Sequence, residues 1–382
     1  MKKIVLILMM ILWIPWNVKA LDNVQIDEDQ MNKINGLYNY ISNMQNEHEL
    51  LRNMSPKEFV EAYMEDGQGD INGKDVTKLV MTYIFKEVVA SFKLVGGLII
   101  IAVVCALLNN LQNAFSNDSL SNIAYFACYA VMITIIAKGF YVGVDLVHDV
   151  IISISNFMAA LMPVLIALLA SVGSFTEAIV MDPIVMGACT LGANIYASII
   201  IPIISMSFVL DFVNNISDKY NIDNLTSLLR KSALWAQGII LTIFVGIITI
   251  RGIAASSLDL ITTKTAKFAV DSFIPVVGKT LSDAITTVAS YTMLLKSSVS
   301  ILGVVVLIGI VLTPIIKIAI MAFMYKLTAA LLQPVSDKKV TAVIDSAGNS
   351  LTLLGSCLIS VTIMFFIMIT IIASTGKGLI LA

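Results

Sequence analysis

Apolar residues in this chain run together in long blocks, and polar positions are confined to the gaps and to one early segment. Within that segment Met31, Ile34, Leu37, Ile41 and Met44 recur at three- and four-residue intervals, which predicts an amphipathic helix with a single apolar stripe. "SPKE" at 55–58 offers Ser55 as N-cap, Pro56 in the first turn and Glu58 reaching back, so a second helix starts there and should stop near Gly67. From about Lys74 a third helix rises through "LVMTYIF" and "EVVASF" into "LVGGLIIIAVVCALL" at 94–108. Further apolar runs follow at 123–142, 151–172, 184–210, 232–250, 298–325 and 353–373, which makes about seven membrane spans. The stretch from Ile301 to Leu332 is too long for one upright crossing, since ~32 residues at 1.5 Å each reach about 48 Å across a core of about 30 Å. Pro314 divides it, leaving either a kinked, tilted helix or two half-spans in a hairpin.

Composition carries the same message. Of 382 residues, 58% are apolar and 13% charged, with a mean hydropathy of +0.91, so the bulk of the chain belongs in a bilayer. A net charge of −2 gives no basic footprint for nucleic acid. "MKK" followed by "IVLILMMILWIPW" and "VKA" predicts a signal peptide over residues 1–20, with the mature chain starting at Leu21. Residues 21–93 hold 13 acidic and 7 basic side chains and read as an exported, soluble helical region. The expected organisation is therefore all-α: a polytopic transmembrane bundle with five spans in 94–250, an amphipathic or re-entrant segment at 251–297, and two to three spans in 298–382. With seven spans, 251–297 falls on the cytoplasmic side, although Lys219, Arg230 and Lys231 pull against that placement.

Segment 251–297 is neither apolar enough to span nor polar enough to be a free loop. Leu281, Ile285, Val288 and Leu295 share one helical face, with Ser282, Asp283, Thr286, Thr287 and Ser290 on the rest, a pattern suited to a membrane surface, a wet cavity wall or a helix resting on its own bundle. Pro275 ends one helix and Gly278 permits the turn into the next. Two lysines sit inside apolar runs. Lys138, near a predicted span end, is expected to snorkel; Lys317 either snorkels or turns its ammonium toward carbonyls freed by Pro314. Gly139 and Gly143 form a Gly-x-x-x-Gly, and Gly96 and Gly97 likewise let helix backbones approach closely.

Catalytic chemistry is hard to find. "FIPVVGKT" at 273–280 ends like a phosphate-binding loop, but Phe273 stands where that loop needs glycine and Pro275 sits inside it. Cys105, Cys128, Cys189 and Cys357 each lie in apolar runs without metal-ligand spacing, and His48 and His148 are far apart. No enzyme, metal or cofactor is expected.

"FIPVVGKTLSDA" (273–284), preceded by "KTAKFAVDSF" and followed by "TPIIKIAIMAFMYKLTAALLQP" (313–334), resembles the stage III sporulation protein AE family of endospore-forming bacteria. The likeness rests on Ile274, Pro275, Val276, Val277, Gly278, Ser282 and Asp283, and on Lys317, Tyr325, Lys326 and Pro334. It implies a subunit of a secretion-like channel complex in the outer forespore membrane that links mother cell and forespore. The partners it implies are other membrane proteins, ring-forming proteins and an ATPase of the same operon, with residues 21–93 facing the intermembrane space; the glycine patterns also allow packing between copies of the chain. The alternative is an autonomous secondary transporter of a small solute with breaks near Pro202, Pro275 and Pro314; halves 94–210 and 232–373 show no internal repeat to support it.

Overall fold

A computed structural model describes residues 28–375 except 53, 68–72, 115–117, 173–177, 179–182, 184–186, 188–189, 217–221, 274–277 and 337. The expected signal peptide lies outside these residues. Among the described residues there are eight α-helices and no strand, as the apolar pattern predicts. Helix α1 is Glu28–Met44, α2 is Pro56–Asp66, α3 is Gly73–Ala114 and α4 is Asp118–Ser171. After a π-turn at Tyr196–Ile200 come α5 (Ile201–Ile216), α6 (Asp223–Phe273), α7 (Gly278–Leu332) and α8 (Lys338–Ser374).

Local chemistry sets the short helices. The Ser55 hydroxyl accepts from the Glu58 amide at 3.4 Å, capping α2 as its sequence predicts. Gly67 closes that helix at φ 67°, a left-handed conformation that costs glycine little, and its N–H reaches back to the Tyr63 carbonyl at 3.1 Å. In α1 the residues Ile34, Leu37, Ile41 and Met44 are buried while Met31 stays 42% exposed, so the apolar stripe begins one turn later than its spacing suggests.

Among the described residues six helices are long and apolar enough to cross a membrane, one fewer than the hydropathy blocks imply. The difference lies in α4, a single 54-residue helix where two spans and a loop are expected. Residues 143–150 look like a loop because they contain Asp145, His148 and Asp149. In the helix those three side chains share the outer face, while Gly143, Val147 and Val150 are buried on the other. Lys138 accordingly sits well inside α4 and away from a helix end. Pro314 is buried within an unbroken α7, which selects the single long helix over the hairpin. Near Pro202 the chain uses a π-turn in place of a break, with the Ile201 amide donating to the Tyr196 carbonyl five residues back. At 54, 51 and 55 residues, α4, α6 and α7 extend for about 80 Å, far beyond the hydrocarbon core.

The long helices alternate in direction. Tyr325 on α7 donates to the Ile136 carbonyl on α4 at 3.5 Å, Gly143 meets Ile318, and Gly303 meets Leu161, so α4 and α7 are antiparallel. Helix α8 folds back along α7, with Gly348 against Ala322 and Lys326 at one end and the Lys296 ammonium donating to the Thr375 carbonyl at the other. The end holding Lys326, Asp345 and Arg230 is the distal end below. At the opposite end α1 lies on α4, where Gln30 donates to the Ser171 hydroxyl, α2 lies on α7, and Leu51 seats over Gly309. The core between them is almost wholly aliphatic and aromatic, including Ile154, Phe157, Leu302, Val306, Leu354 and Phe365.

Candidate functional site

One cluster of buried and half-buried polar side chains forms where α5, α6 and α8 meet at the distal end. Asp211, in the last turns of α5, forms an ion pair with Arg230, two turns into α6. Their connection is held from both sides: Asn214 donates to the Asp223 carboxylate at 2.6 Å and accepts from the Ile222 amide at 2.7 Å. Asp211 is buried and Arg230 is partly so, and a charge pair in an apolar bundle persists only where each charge has its partner. Asp345 on α8 acts electrostatically on Arg230, and Asn349 continues the chain of contacts. Its amide donates to Asp345 at 2.9 Å, and its oxygen accepts from the Lys326 ammonium of α7 at 2.7 Å. The network therefore ties four helices together around a cavity of about 440 Å³ lined by Asp211, Asp223, Thr226, Arg230 and Ser346.

Deeper in the bundle Gln237 joins three segments. Its carbonyl accepts from the Tyr196 hydroxyl at 3.3 Å and its side-chain oxygen accepts from Ser356 at 2.9 Å. Such bonds fix the rotation of apolar helices about their axes, which aliphatic contacts alone specify poorly.

The residues singled out in the sequence divide between two ends. Tyr325 is buried and anchored to α4, Lys326 joins the distal network, and Pro334 is exposed in the turn after α7. Lys317 is half-buried in mid-α7. Gly278, Ser282 and Asp283 begin the same helix, so its 55 residues hold them at the other end of the bundle. Ile274, Pro275, Val276 and Val277 lie outside the described residues. Of the packing glycines, Gly139 is buried and Gly143 faces Leu351 so closely that a methyl there would sit 2.5 Å from its side chain. Gly96 and Gly97 have open space around them. Asp211, Arg230, Asp345 and Asn349 escape a hydropathy reading because they fall just beyond the apolar blocks, where charges resemble loop residues.

In the N-terminal region burial shifts three groups outside the spans. Tyr38 is pushed up to about 12 by burial, with Glu61 and then Tyr291 adding to the effect. Tyr40 is raised by burial and by Glu47. His48 is lowered from the ordinary histidine value by burial, which Glu47 only partly opposes.

A profile of the family described as stage III sporulation protein AE matches residues 54–376. The chain belongs to the stage III sporulation protein AE family. It is 37% identical over 312 residues to the stage III sporulation protein AE of Bacillus subtilis (strain 168), a match that covers 82% of this chain and 78% of the relative. No solved structure matches the chain. This is a family of sporulation membrane proteins and not a known enzyme family, and the matched residues begin at the cap of α2, leaving α1 before them.

Proposed function

We propose that this family member is an integral subunit of a sporulation-specific, secretion-like channel complex that joins mother cell and forespore, seated in the outer forespore membrane. The observation that carries the reading is family membership over nearly the whole of a six-span helical bundle. Other products of the same operon are its proposed partners: small membrane proteins, ring-forming proteins and an ATPase.

The proposed orientation rests on placing residues 21–93 in the intermembrane space. With residues 21–93 in the intermembrane space, six crossings bring the distal end to the mother-cell cytoplasm and return the connection between α6 and α7 to the exported side, opposite to what seven crossings imply. Arg230, Lys231, Lys326, Lys338 and Lys339 then lie at the cytoplasmic end, and Arg251, Lys264, Lys267, Lys279 and Lys296 toward the exported end, so the positive-inside tendency does not choose between the two orientations. Labelling of cysteines substituted at 279 and 338 tests this: six crossings expect 279 to react from outside and 338 only from the cytoplasm.

The complex itself is tested by affinity capture from sporulating cells. Recovery of other products of the operon supports the reading, and their absence under conditions that retain the bundle overturns it. The cavity beside Asp211 and Arg230 is what an autonomous transporter would require, and saturable solute uptake by the purified chain in liposomes would favour that second reading.

A further inference from the structure

The bundle is amphipathic sideways, at one height. Gly143 on α4 meets Leu351 on α8, and Gln237 on α6 meets Ser356 on α8, five residues further along a helix that runs parallel to α4. His148 and Asp149 therefore stand level with Gln237. At that height and beyond, the outward side of α6 exposes Leu234, Trp235, Ile239, Ile243 and Ile247, with Trp235 at 73%. Helix α8 adds Ile359, Ile363 and Phe366. On α4 the polar outward positions are Thr134, Lys138, Tyr141, Asp145, His148, Asp149 and Asn156, all exposed, with the Asp149 side chain at 79%; Val142, at 43%, is the apolar side chain exposed among them. Their spacing of three, four and seven keeps them on one face for about 33 Å, the thickness of a hydrocarbon core.

Lipid suits α6 and does not suit α4. Aspartate side chains are too short to snorkel out from the middle of a span, so the face that carries Asp145 and Asp149 requires water. A second observation points the same way. The polar N-terminal helices are docked on α4 and α7 and reach as far as Leu51 over Gly309, close to the height of Asn156, where α6 and α8 still expose Ile243 and Ile363. Their outer surface carries the exposed Asp29–Lys33 and Lys57–Glu61 pairs.

We infer that the α4 face from Thr134 to Asn156 lines a water-filled passage through the membrane, with α6 turned to lipid and further copies of this chain closing the passage around an axis. A ring of identical chains satisfies both faces at once, wet side inward and apolar side outward. Hydrophilic solutes are the class that such a wall accommodates, and Asp145 and Asp149 give its exported half an acidic lining that favours cations. This inference rests on the channel reading above and names its wall.

The test is cysteine accessibility in the full chain, in membranes, with Cys105, Cys128, Cys189 and Cys357 replaced by alanine. A membrane-impermeant thiol reagent is expected to modify Lys138→Cys, Asp145→Cys, Asp149→Cys and Asn156→Cys roughly tenfold faster than Trp235→Cys, Ile239→Cys or Ile243→Cys, because only the first group meets water. Oxidation is expected to cross-link Asp149→Cys chains to one another. Equal reactivity on α4 and α6 would mean that this part of the bundle stands outside the bilayer, and would overturn the inference. So would protection of the α4 set, or the absence of cross-linked dimers. Failure to recover operon partners, by contrast, would remove the sporulation-complex reading and leave this labelling pattern intact.

Discussion

Asp211 and Arg230 neutralise each other between α5 and α6, nineteen residues apart in sequence and in contact at the distal end. Breaking a buried pair by removing one partner strands the other, at a cost of about 3–5 kcal/mol. Arg230 keeps a quarter of its side chain exposed, so the lower end applies. Asp211→Asn or Arg230→Met is expected to destabilise the detergent-solubilised protein by roughly 2–3 kcal/mol, with the exchange Asp211→Arg plus Arg230→Asp recovering most of it. Thermal unfolding of these three variants and of the single exchanges Asp211→Arg and Arg230→Asp checks this. Additive losses in the double exchange would show that the two side chains do not act as a pair.

Glycine substitutions separate close packing from open surface. A methyl at Gly348 would meet the Ala322 carbonyl oxygen at 3.2 Å and the Lys326 amide nitrogen at 3.3 Å, both backbone atoms that cannot step aside. Gly348→Ala should therefore push α7 and α8 apart and cost about 1–3 kcal/mol. Gly143→Ala presses only on the end of the Leu351 side chain and should cost less, whereas Gly96→Ala meets nothing and should be neutral or stabilising by up to about 1 kcal/mol. Melting temperatures of the three variants give the order, and a Gly96→Ala loss as large as that of Gly348→Ala would contradict this packing.

How much of this was legible beforehand depends on what each signal measures. Hydropathy finds apolar blocks, and the blocks at 232–250 and 353–373 lie inside α6 and α8. It averages over all sides of a helix, so Asp145, His148 and Asp149 on one face of α4 read as a loop, although Val147 and Val150 between them keep the helical spacing. Capping chemistry is local, and Ser55 and Gly67 bound α2 where their residue types place them. The distal network is not local. Asp211, Arg230, Asp345 and Lys326 come from four helices, and nothing in the spacing of any one of them reveals the others.

The Lys296 ammonium, fully buried, donates to the Thr375 carbonyl at the end of α8. A cation at a helix C-terminus complements both the unpaired carbonyls and the dipole there. Lys296→Met keeps the length of the side chain and loses the donor, so about 1.5–3 kcal/mol of local stability should go, the usual worth of a hydrogen bond to a charged group. Because the contact holds one helix end, the loss should appear as faster hydrogen exchange over the last turns of α8 with the distal end unchanged. Uniform acceleration throughout the bundle would assign Lys296 to general core stability.

Acid should loosen the N-terminal helices through His48. Burial favours its neutral form, so its pKa in the folded chain lies below the ordinary 6.5. Between the two values the unfolded or undocked segment binds more protons than the docked one, and stability rises with pH in that window. The contribution is complete above about 6.5, is lost as pH falls toward the folded value, and levels off below it. The His48 side chain has a buried Nε2 without a hydrogen-bond partner, so the charged ring finds only the partial compensation of Glu47 in place. Proteolysis within α1 and α2 should accelerate as pH drops below about 6.5, and His48→Gln, which does not titrate, should flatten that dependence. If the variant keeps the full pH dependence, the acid response belongs to other groups, such as the Asp29–Lys33 and Lys57–Glu61 pairs, and His48 is a packing residue only.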